Sequence, residues 1–418
     1  MSDRLAIWLN DLQVAVVERD RNRRLRLSYT DLALETFEGG TPLLSLNLPL
    51  TSTRYPNERT TVFLDGLLPE GEARNAVAAE FDLTASDVFG LLAAIGKDCA
   101  GALVVQLEGD PAPAVPTTTT AEPLSSDDLA KLVANLRSAP LGIDRNVRLS
   151  LAGVQEKLLL TRMPDGRWGR PTGGTPSTHI LKPEIEPLGN TVENEVFCMR
   201  VAKHLGLDVA NVETILVDER PVLVVERYDR VIGDNGTVTR VHQEDLCQAL
   251  GIPPRRKYEQ DGGPSLARIA RVLQEVAEQG ATENFLRALT LNVGVGNCDA
   301  HPKNFSLLHS RSGALRLAPL YDVLSTRFYP GLSDKLAMYV DAVQTADRVS
   351  ADRIVNEAVS WSMSRSRARQ IVADALHRLP DAVTAAADET AGVPETLIEL
   401  VTANAERLTR SLEAGAGH

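Results

Sequence analysis

Between residues 108 and 120 the chain reads Glu108-Gly109-Asp110-Pro111-Ala112-Pro113-Ala114-Val115-Pro116 and then four threonines. Proline lacks an amide donor and fixes φ, so this stretch sustains neither a helix nor a buried strand, and 108–124 reads as a linker that divides the chain. Before it, residues 1–107 alternate short strands with turns around one helical stretch, Glu72 to Glu80, and close on the strand-like run Gly101 to Gln106. That pattern predicts one α+β unit. Beyond the linker, Ser126-Asp127-Asp128 caps an amphipathic helix with Leu129, Leu132, Val133 and Leu136 on one side.

Residues 125–241 are rich in strand patterns: Lys157 to Arg162, a Pro164-Asp165-Gly166 turn, His179 to Lys182, and then, past a helix, Thr214 to Val217 and Val222 to Glu226. Residues 242–418 turn mainly helical, so a small β-rich lobe precedes a larger helical one. With 418 residues, 43% of them hydrophobic, the chain can bury a large core. Aromatic residues make up only 4%, so that core is built from Leu, Val, Ile and Ala, and the composition argues against stacking platforms for single-stranded nucleic acid. A net charge of −12 argues against nonspecific binding of phosphate backbones by the whole surface. Cys99, Cys198, Cys247 and Cys298 lie far apart without C-x-x-C spacing, the pattern of reduced thiols, and Cys298 reads as a small buried thiol. No apolar run approaches the ~18 residues of a membrane span, which predicts a cytoplasmic protein.

The chemistry concentrates in Asn297-Cys298-Asp299-Ala300-His301-Pro302-Lys303-Asn304, at the end of a helix predicted over Glu283 to Val295. A carboxylate with an amide five positions later is the spacing by which protein kinases place a catalytic base and a magnesium ligand on one phosphate. The plain alternative is a polar turn in which both side chains bond local backbone. On the first reading Asp299 is the base, Asn304 a magnesium ligand, Lys303 a phosphate-facing cation and His301 a phosphate or loop-bracing contact. A hairpin follows, Phe305 to Leu308 and Ala314 to Ala318, ending at Tyr321-Asp322. A carboxylate placed there matches the metal-binding Asp of the kinase D-F-G, although Val323 and Leu324 replace Phe and Gly; read singly, Asp322 is a helix N-cap.

Upstream, Lys182 ends an apolar strand, and Glu195 shares a helix face with Val192, Val196, Met199 and Ala202. A carboxylate among apolar neighbours needs a cation, and a strand lysine paired with a helix glutamate positions ATP phosphates in kinases; the alternative is Glu195 turned to solvent at the helix edge. Val222 to Val225 breaks into Glu226-Arg227-Tyr228-Asp229-Arg230, the place in the order where a kinase hinge meets adenine. Ser150-Leu151-Ala152-Gly153-Val154-Gln155-Glu156-Lys157 is a small-residue loop of the kind that brings amides to phosphate, or an ordinary turn. Each part alone has a plain structural reading; their joint order points to an ATP-dependent phosphotransferase.

The wording of these motifs resembles the HipA family of bacterial toxin–antitoxin kinases. The pieces are Ser150 to Lys157, His179 to Lys182, Val225 to Arg230, Gln243 to Gln248, Lys257-Tyr258-Glu259, Asp261-Gly262-Gly263-Pro264, Asp299 to Ser306 and Tyr321-Asp322. In the amino-terminal part they include Asp65 to Gly71 and Gly96 to Ala102. The resemblance implies an α/β (α+β), two-lobed protein-kinase and phosphatidylinositol-kinase-like fold with an additional amino-terminal subdomain. It implies ATP and Mg2+ as cofactors, Asp299 as base, and Asn304 and Asp322 as metal ligands. The implied nucleotide-binding set is Ala152, Gly153, Val154, Gln155, Glu156, Lys157, Lys182, Glu226, Arg227, Tyr228, His301, Pro302, Lys303, Asn304, Tyr321 and Asp322. Ser150 matches an autophosphorylated serine whose modification silences the enzyme. The implied partners are a HipB-like helix-turn-helix antitoxin on operator DNA and, as substrate, an aminoacyl-tRNA synthetase, typically the glutamyl enzyme. Arg365, Arg367 and Arg369 are candidates for touching that DNA, or simply form a solvated helix face. Departures are Leu151 and Val154 in the loop, Pro302 in the catalytic loop, and Tyr228 at a hinge position that is often Phe. An aminoglycoside-type small-molecule kinase and a catalytically silent co-repressor subunit are the alternative functions.

Overall fold

A computed structural model describes residues 3–136, 157–310 and 313–414. The chain folds as two compact units, one made of residues 1–183, 215–255 and 308–313, the other of 184–214, 256–307 and 314–418. Among the described residues no helix is long and apolar enough to cross a membrane.

In the first unit, an antiparallel sheet takes the strands Leu25–Tyr29, Leu12–Arg19, Arg4–Leu9 and Leu103–Leu107 in that spatial order. Leu5, Ile7, Val17, Leu27 and Val105 are buried against helices, sharing one core with Phe63, Leu64, Val77, Leu91 and Leu92. The sequence pattern predicts one helix here, and four form: Asp31–Thr36, Asn57–Gly66, Gly71–Glu80 and Val88–Ile95. Thr60, Thr61 and Val62 are weak helix formers, so packing of Phe63 and Leu64 decides the conformation; Val88–Ile95 is apolar all round and shows no helical period.

The second sheet runs Glu122–Pro123, Trp168–Arg170, Leu158–Arg162, His179–Pro183, Arg220–Glu226 and Val212–Val217 in spatial order. The helix Ser126–Ala134 covers it, burying Leu129 and Val133 with Leu158, Leu181, Val222 and Val224. Its cap is Ser125, one residue earlier than expected, whose Oγ accepts from the Asp128 amide at 3.1 Å. The Pro/Thr-rich segment is tied down at its end. The Val238 amide donates to the Pro116 carbonyl at 2.9 Å, Thr118 to Gly236 at 2.8 Å, and Glu122–Pro123 forms an edge strand, where a proline costs no ladder bond.

The second unit is built on the helix Ala281–Val295, packed by Leu266–Val276, Arg365–Glu389 and Glu395–Ala414. Phe285, Leu286, Leu291, Val293 and Val295 are buried, and neighbours on several sides leave it no exposed face over its last two turns. In the last turn, where the regular carbonyl acceptors run out of helical donors, the carbonyls of Val293 and Gly294 accept from the Asn404 side-chain amide at 2.7 and 2.8 Å. That closure fixes where the chain leaves the helix.

Candidate active site

The helix ends at Gly296, whose φ of +74° suits glycine, and whose amide turns back to Val293. The Asn297 side chain then donates to Asn292 Oδ1 at 2.8 Å and accepts from the Asp299 amide at 3.0 Å, while Asn292 donates to the Ala288 carbonyl at 2.8 Å. This relay of amides ties the loop to the helix. Cys298 is held between Thr326 Oγ1 and the Ala337 amide, both at 2.8 Å, and burial pushes its thiol up, so it acts as packing.

Asp299 is thereby presented with its side chain 49% exposed, one carboxylate oxygen accepting from Tyr258 Oη at 2.9 Å. His301 is buried edge-on to the Tyr258 ring, centroids 5.7 Å apart. Burial, with Lys257 and Lys303 adding to it against the pull of Asp322, pushes its pKa down to about 3, and its Nδ1 has no hydrogen-bond partner among the described residues. Pro302 opens the short 3-10 turn Pro302–Asn304 and leaves no amide to satisfy there. Lys303 is buried, its carbonyl accepting from Tyr321 Oη at 2.6 Å, and Tyr321 also meets Ser306 Oγ at 2.8 Å.

The Asn304 amide reaches 18 positions along the chain to Asp322, its Nδ2 lying 3.2 Å from Oδ2. A purely local polar turn is not what forms. Asp322 stands at φ +60°, a left-handed backbone that costs a non-glycine residue on the order of 1 kcal/mol and that Asp tolerates better than most. It is no helix N-cap, since the next helical turn begins only at Thr326. Asn194 pins the segment behind it, donating to the Ser325 carbonyl at 3.0 Å and accepting from its amide at 2.8 Å. Among the described residues no group of three or more His, Cys, Asp or Glu can hold a metal by itself. An amide and a carboxylate side by side instead suit magnesium, which keeps several waters and phosphate oxygens in its shell.

In the first unit, Lys157 and Lys182 are both buried, 8% and 7% exposed. They flank the cross-strand pair Leu158–Leu181, so by the strand alternation both project from the face opposite those leucines, a setting suited to a polyphosphate. Glu226 ends its strand exposed. Arg227 departs from expectation: its guanidinium is buried, bonding Ser177 Oγ at 2.7 Å, the Cys99 carbonyl at 3.0 Å and Asp229 at 2.9 and 3.0 Å. Its backbone amide and carbonyl are also taken, by Thr178 and Arg230, so Arg227 braces the segment from within. Asp98 meets Arg230 at 2.9 Å and Arg227 and Arg240 at 3.4 Å, and Asp229 accepts from the Gly101 amide at 2.7 Å. Tyr228 is half-buried with its hydroxyl on Gln243.

With this geometry in view, the chain matches the HipA N-terminal domain over residues 5–106 and the HipA-like C-terminal domain over 149–383. A Sinorhizobium fredii protein, Y4mE, whose kinase designation is itself provisional, is 39% identical over 83% of each chain. The serine/threonine-protein kinase toxin HipA of Shewanella oneidensis is 32% identical over 81% of this chain and 78% of that one. The chain belongs to the HipA family. A Shewanella oneidensis HipA structure, solved with HipB and operator DNA, superposes with a TM-score of 0.83 at 27% identity, covering 98% of this chain and 97% of that one.

The mixed α/β HipA architecture expected from the motifs is therefore the one observed. Ser150 and the loop residues Ala152, Gly153, Val154, Gln155 and Glu156 lie outside the described residues. Glu195 is 2% exposed on the helix Thr191–His204, as its helical spacing predicts. Arg367 makes a bidentate ion pair with Glu283 at 2.6 and 2.8 Å and Arg369 pairs with Asp352 at 3.1 Å, so this basic run of the HipA fold is engaged within the protein. Sequence reasoning missed Tyr258, Asn194 and Asp98, whose partners lie far along the chain, and Asn292, whose partners are the neighbouring Ala288 and Asn297. The Lys257-Tyr258-Glu259 and Gly96 to Ala102 motifs carried a signal for Tyr258 and Asp98, and named no role.

Proposed function

We propose that this chain is an ATP- and magnesium-dependent protein serine/threonine kinase acting as the toxin of a toxin–antitoxin pair. The observation that carries the reading is the Asn304 amide 3.2 Å from the Asp322 carboxylate, on a loop that presents half-exposed Asp299 five positions earlier. Asp299 takes the proton of the acceptor hydroxyl. Asn304 donates through Nδ2 to Asp322, which leaves its Oδ1 to ligate; the magnesium supplies charge neutralisation at the phosphate oxygens. Lys157 and Lys182 bind phosphate, Lys303 adds positive charge, and His301, neutral at physiological pH, donates a hydrogen bond without changing that charge. The Glu226–Tyr228 segment meets adenine.

Ser150 is the autophosphorylation site and off-switch. A phosphate there carries about −1.5 to −2 charges and opposes nucleotide phosphates electrostatically. The acceptor in other proteins is a serine of an aminoacyl-tRNA synthetase, the glutamyl type by family resemblance, in the cytoplasm, and its modification halts translation. The antitoxin is a HipB-like helix-turn-helix protein, a reading supported by the HipB in the Shewanella assembly. The test is phosphopeptide mass spectrometry after brief expression of the parent and of Asp299→Asn. Phosphoserine on protein, Ser150 included, together with growth arrest, is expected only from the parent. Label on a small molecule alone, or phosphorylation retained by the variant, refutes the reading.

A further inference from the structure

The motif Lys257-Tyr258-Glu259 with Asp261-Gly262-Gly263 takes no part in the chemistry outlined above, yet the fold spends an unusual amount of construction on it. The Tyr258 carbonyl accepts from both the Asp261 and Gly263 amides, at 3.0 and 2.9 Å. Gly262 adopts φ +87°, and a Cβ at Gly263 would sit 2.5 Å from the Arg256 carbonyl oxygen and 2.7 Å from that of Tyr258, so the turn closes only with glycine at both positions. Glu259 Oε2 accepts from the Tyr339 amide at 2.7 Å, which fastens the turn to the strand Lys335–Val340.

The same strand fastens the catalytic loop, through the Ala337 amide on the Cys298 carbonyl at 2.8 Å. Tyr258 then closes the ring: its hydroxyl donates to Asp299 Oδ1 at 2.9 Å, and its ring packs against His301 at 71°. Two segments 41 positions apart are thus held to one strand and to each other at the carboxylate itself. We infer that Tyr258 is a positioning residue for Asp299, holding Oδ1 so that the carboxylate keeps one orientation toward the acceptor hydroxyl, with Oδ2 3.9 Å from His301 Nε2. The inference rests on the kinase reading. Removing the Tyr258 donor loosens the orientation of a half-exposed carboxylate, and loss of a near-attack geometry lowers turnover without affecting nucleotide affinity. The hydroxyl also favours the charged form of the carboxylate it donates to.

The experiment uses the full-length chain, with transfer to protein measured across pH. Tyr258→Phe keeps the ring against His301 and removes only the donor. It is expected to lower kcat about 10- to 100-fold, leave KM for ATP unchanged, and move the acid limb of the kcat profile to higher pH, because the carboxylate then binds its proton more readily. Gly263→Ala retains the hydroxyl but displaces the turn, and is expected to change kcat and the acid limb in the same direction. Unchanged kcat in Tyr258→Phe overturns the inference. So does a lower kcat with the acid limb unmoved or with KM for ATP raised in step, since either marks a structural contribution only. An inactive parent protein refutes the kinase reading, and the inference with it.

Discussion

Replacing Asp98 by Asn changes one atom at the centre of a cluster that is almost wholly excluded from water. The side chains of Asp98, Arg227, Asp229, Arg230 and Arg240 are 1–4% exposed. Two carboxylates there face three guanidiniums, and the variant leaves one carboxylate for all three. An amide supplies one acceptor where Asp98 now serves Arg230 at 2.9 Å, the Ser177 hydroxyl at 2.6 Å and the Ser177 amide at 2.9 Å. Removing one partner from a buried ionic group costs about 3–5 kcal/mol, which in a unit of this size lowers Tm by roughly 6–20 °C. Burial opposes the charge on Asp98, but Arg230, Arg227 and Arg240 outweigh it and hold the carboxyl below its ordinary range. A depressed carboxylate contributes stability that is present above the ordinary value and is lost as pH falls toward the folded-state one. The gap between parent and variant therefore narrows on acidification. Arg240 refines the test: burial and the neighbouring guanidiniums pull its pKa down to about 10, so it is the least stably charged member. Adding Arg240→Met to Asp98→Asn removes the excess cation, and the pair is expected to cost less than the sum of the singles. Circular dichroism melts and urea titrations read all three variants. An Asp98→Asn protein melting within about 1 °C of the parent would refute the reasoning.

Two further outcomes follow from single atoms. His242 donates from Nε2 to the Leu44 carbonyl at 2.9 Å, and burial, with His309 4.7 Å away, pushes its pKa down to about 3. Its stabilising contribution is present above about pH 6.5 and lost as pH falls toward the folded-state value, so by pH 5 the parent loses about 2 kcal/mol more than His242→Gln; parallel stability curves in urea titrations would sink the argument. Asp322→Asn keeps a residue tolerant of the φ +60° backbone while removing the carboxylate, so Tm is expected to stay within about 2 °C while transfer at fixed magnesium falls at least about 100-fold. Recovery of full activity at the parent's magnesium concentration would show that Asp322 does not hold the metal.

What was legible in the sequence is what local geometry determines. Asp299 and Asn304 stand on one loop, so their spacing alone limits how far apart they lie, and the burial of Glu195 follows from helical period. Asp322 was placed by its position after a strand. What was not legible depends on residues that no periodicity connects. Arg227 follows an apolar strand and opens a charged run, and such a run looks the same whether it meets solvent or buried countercharges. Asp98 settles the matter from 129 positions earlier, in the amino-terminal subdomain, together with Ser177, so the guanidinium turns inward. The consequence reaches past one misplaced side chain. If the segment proposed to meet adenine is braced by a carboxylate of the amino-terminal subdomain, that subdomain is part of the nucleotide-binding unit. The Pro/Thr-rich stretch then lies within one compact unit, its end tied to residues 236–238 by the bonds of Thr118 and Val238.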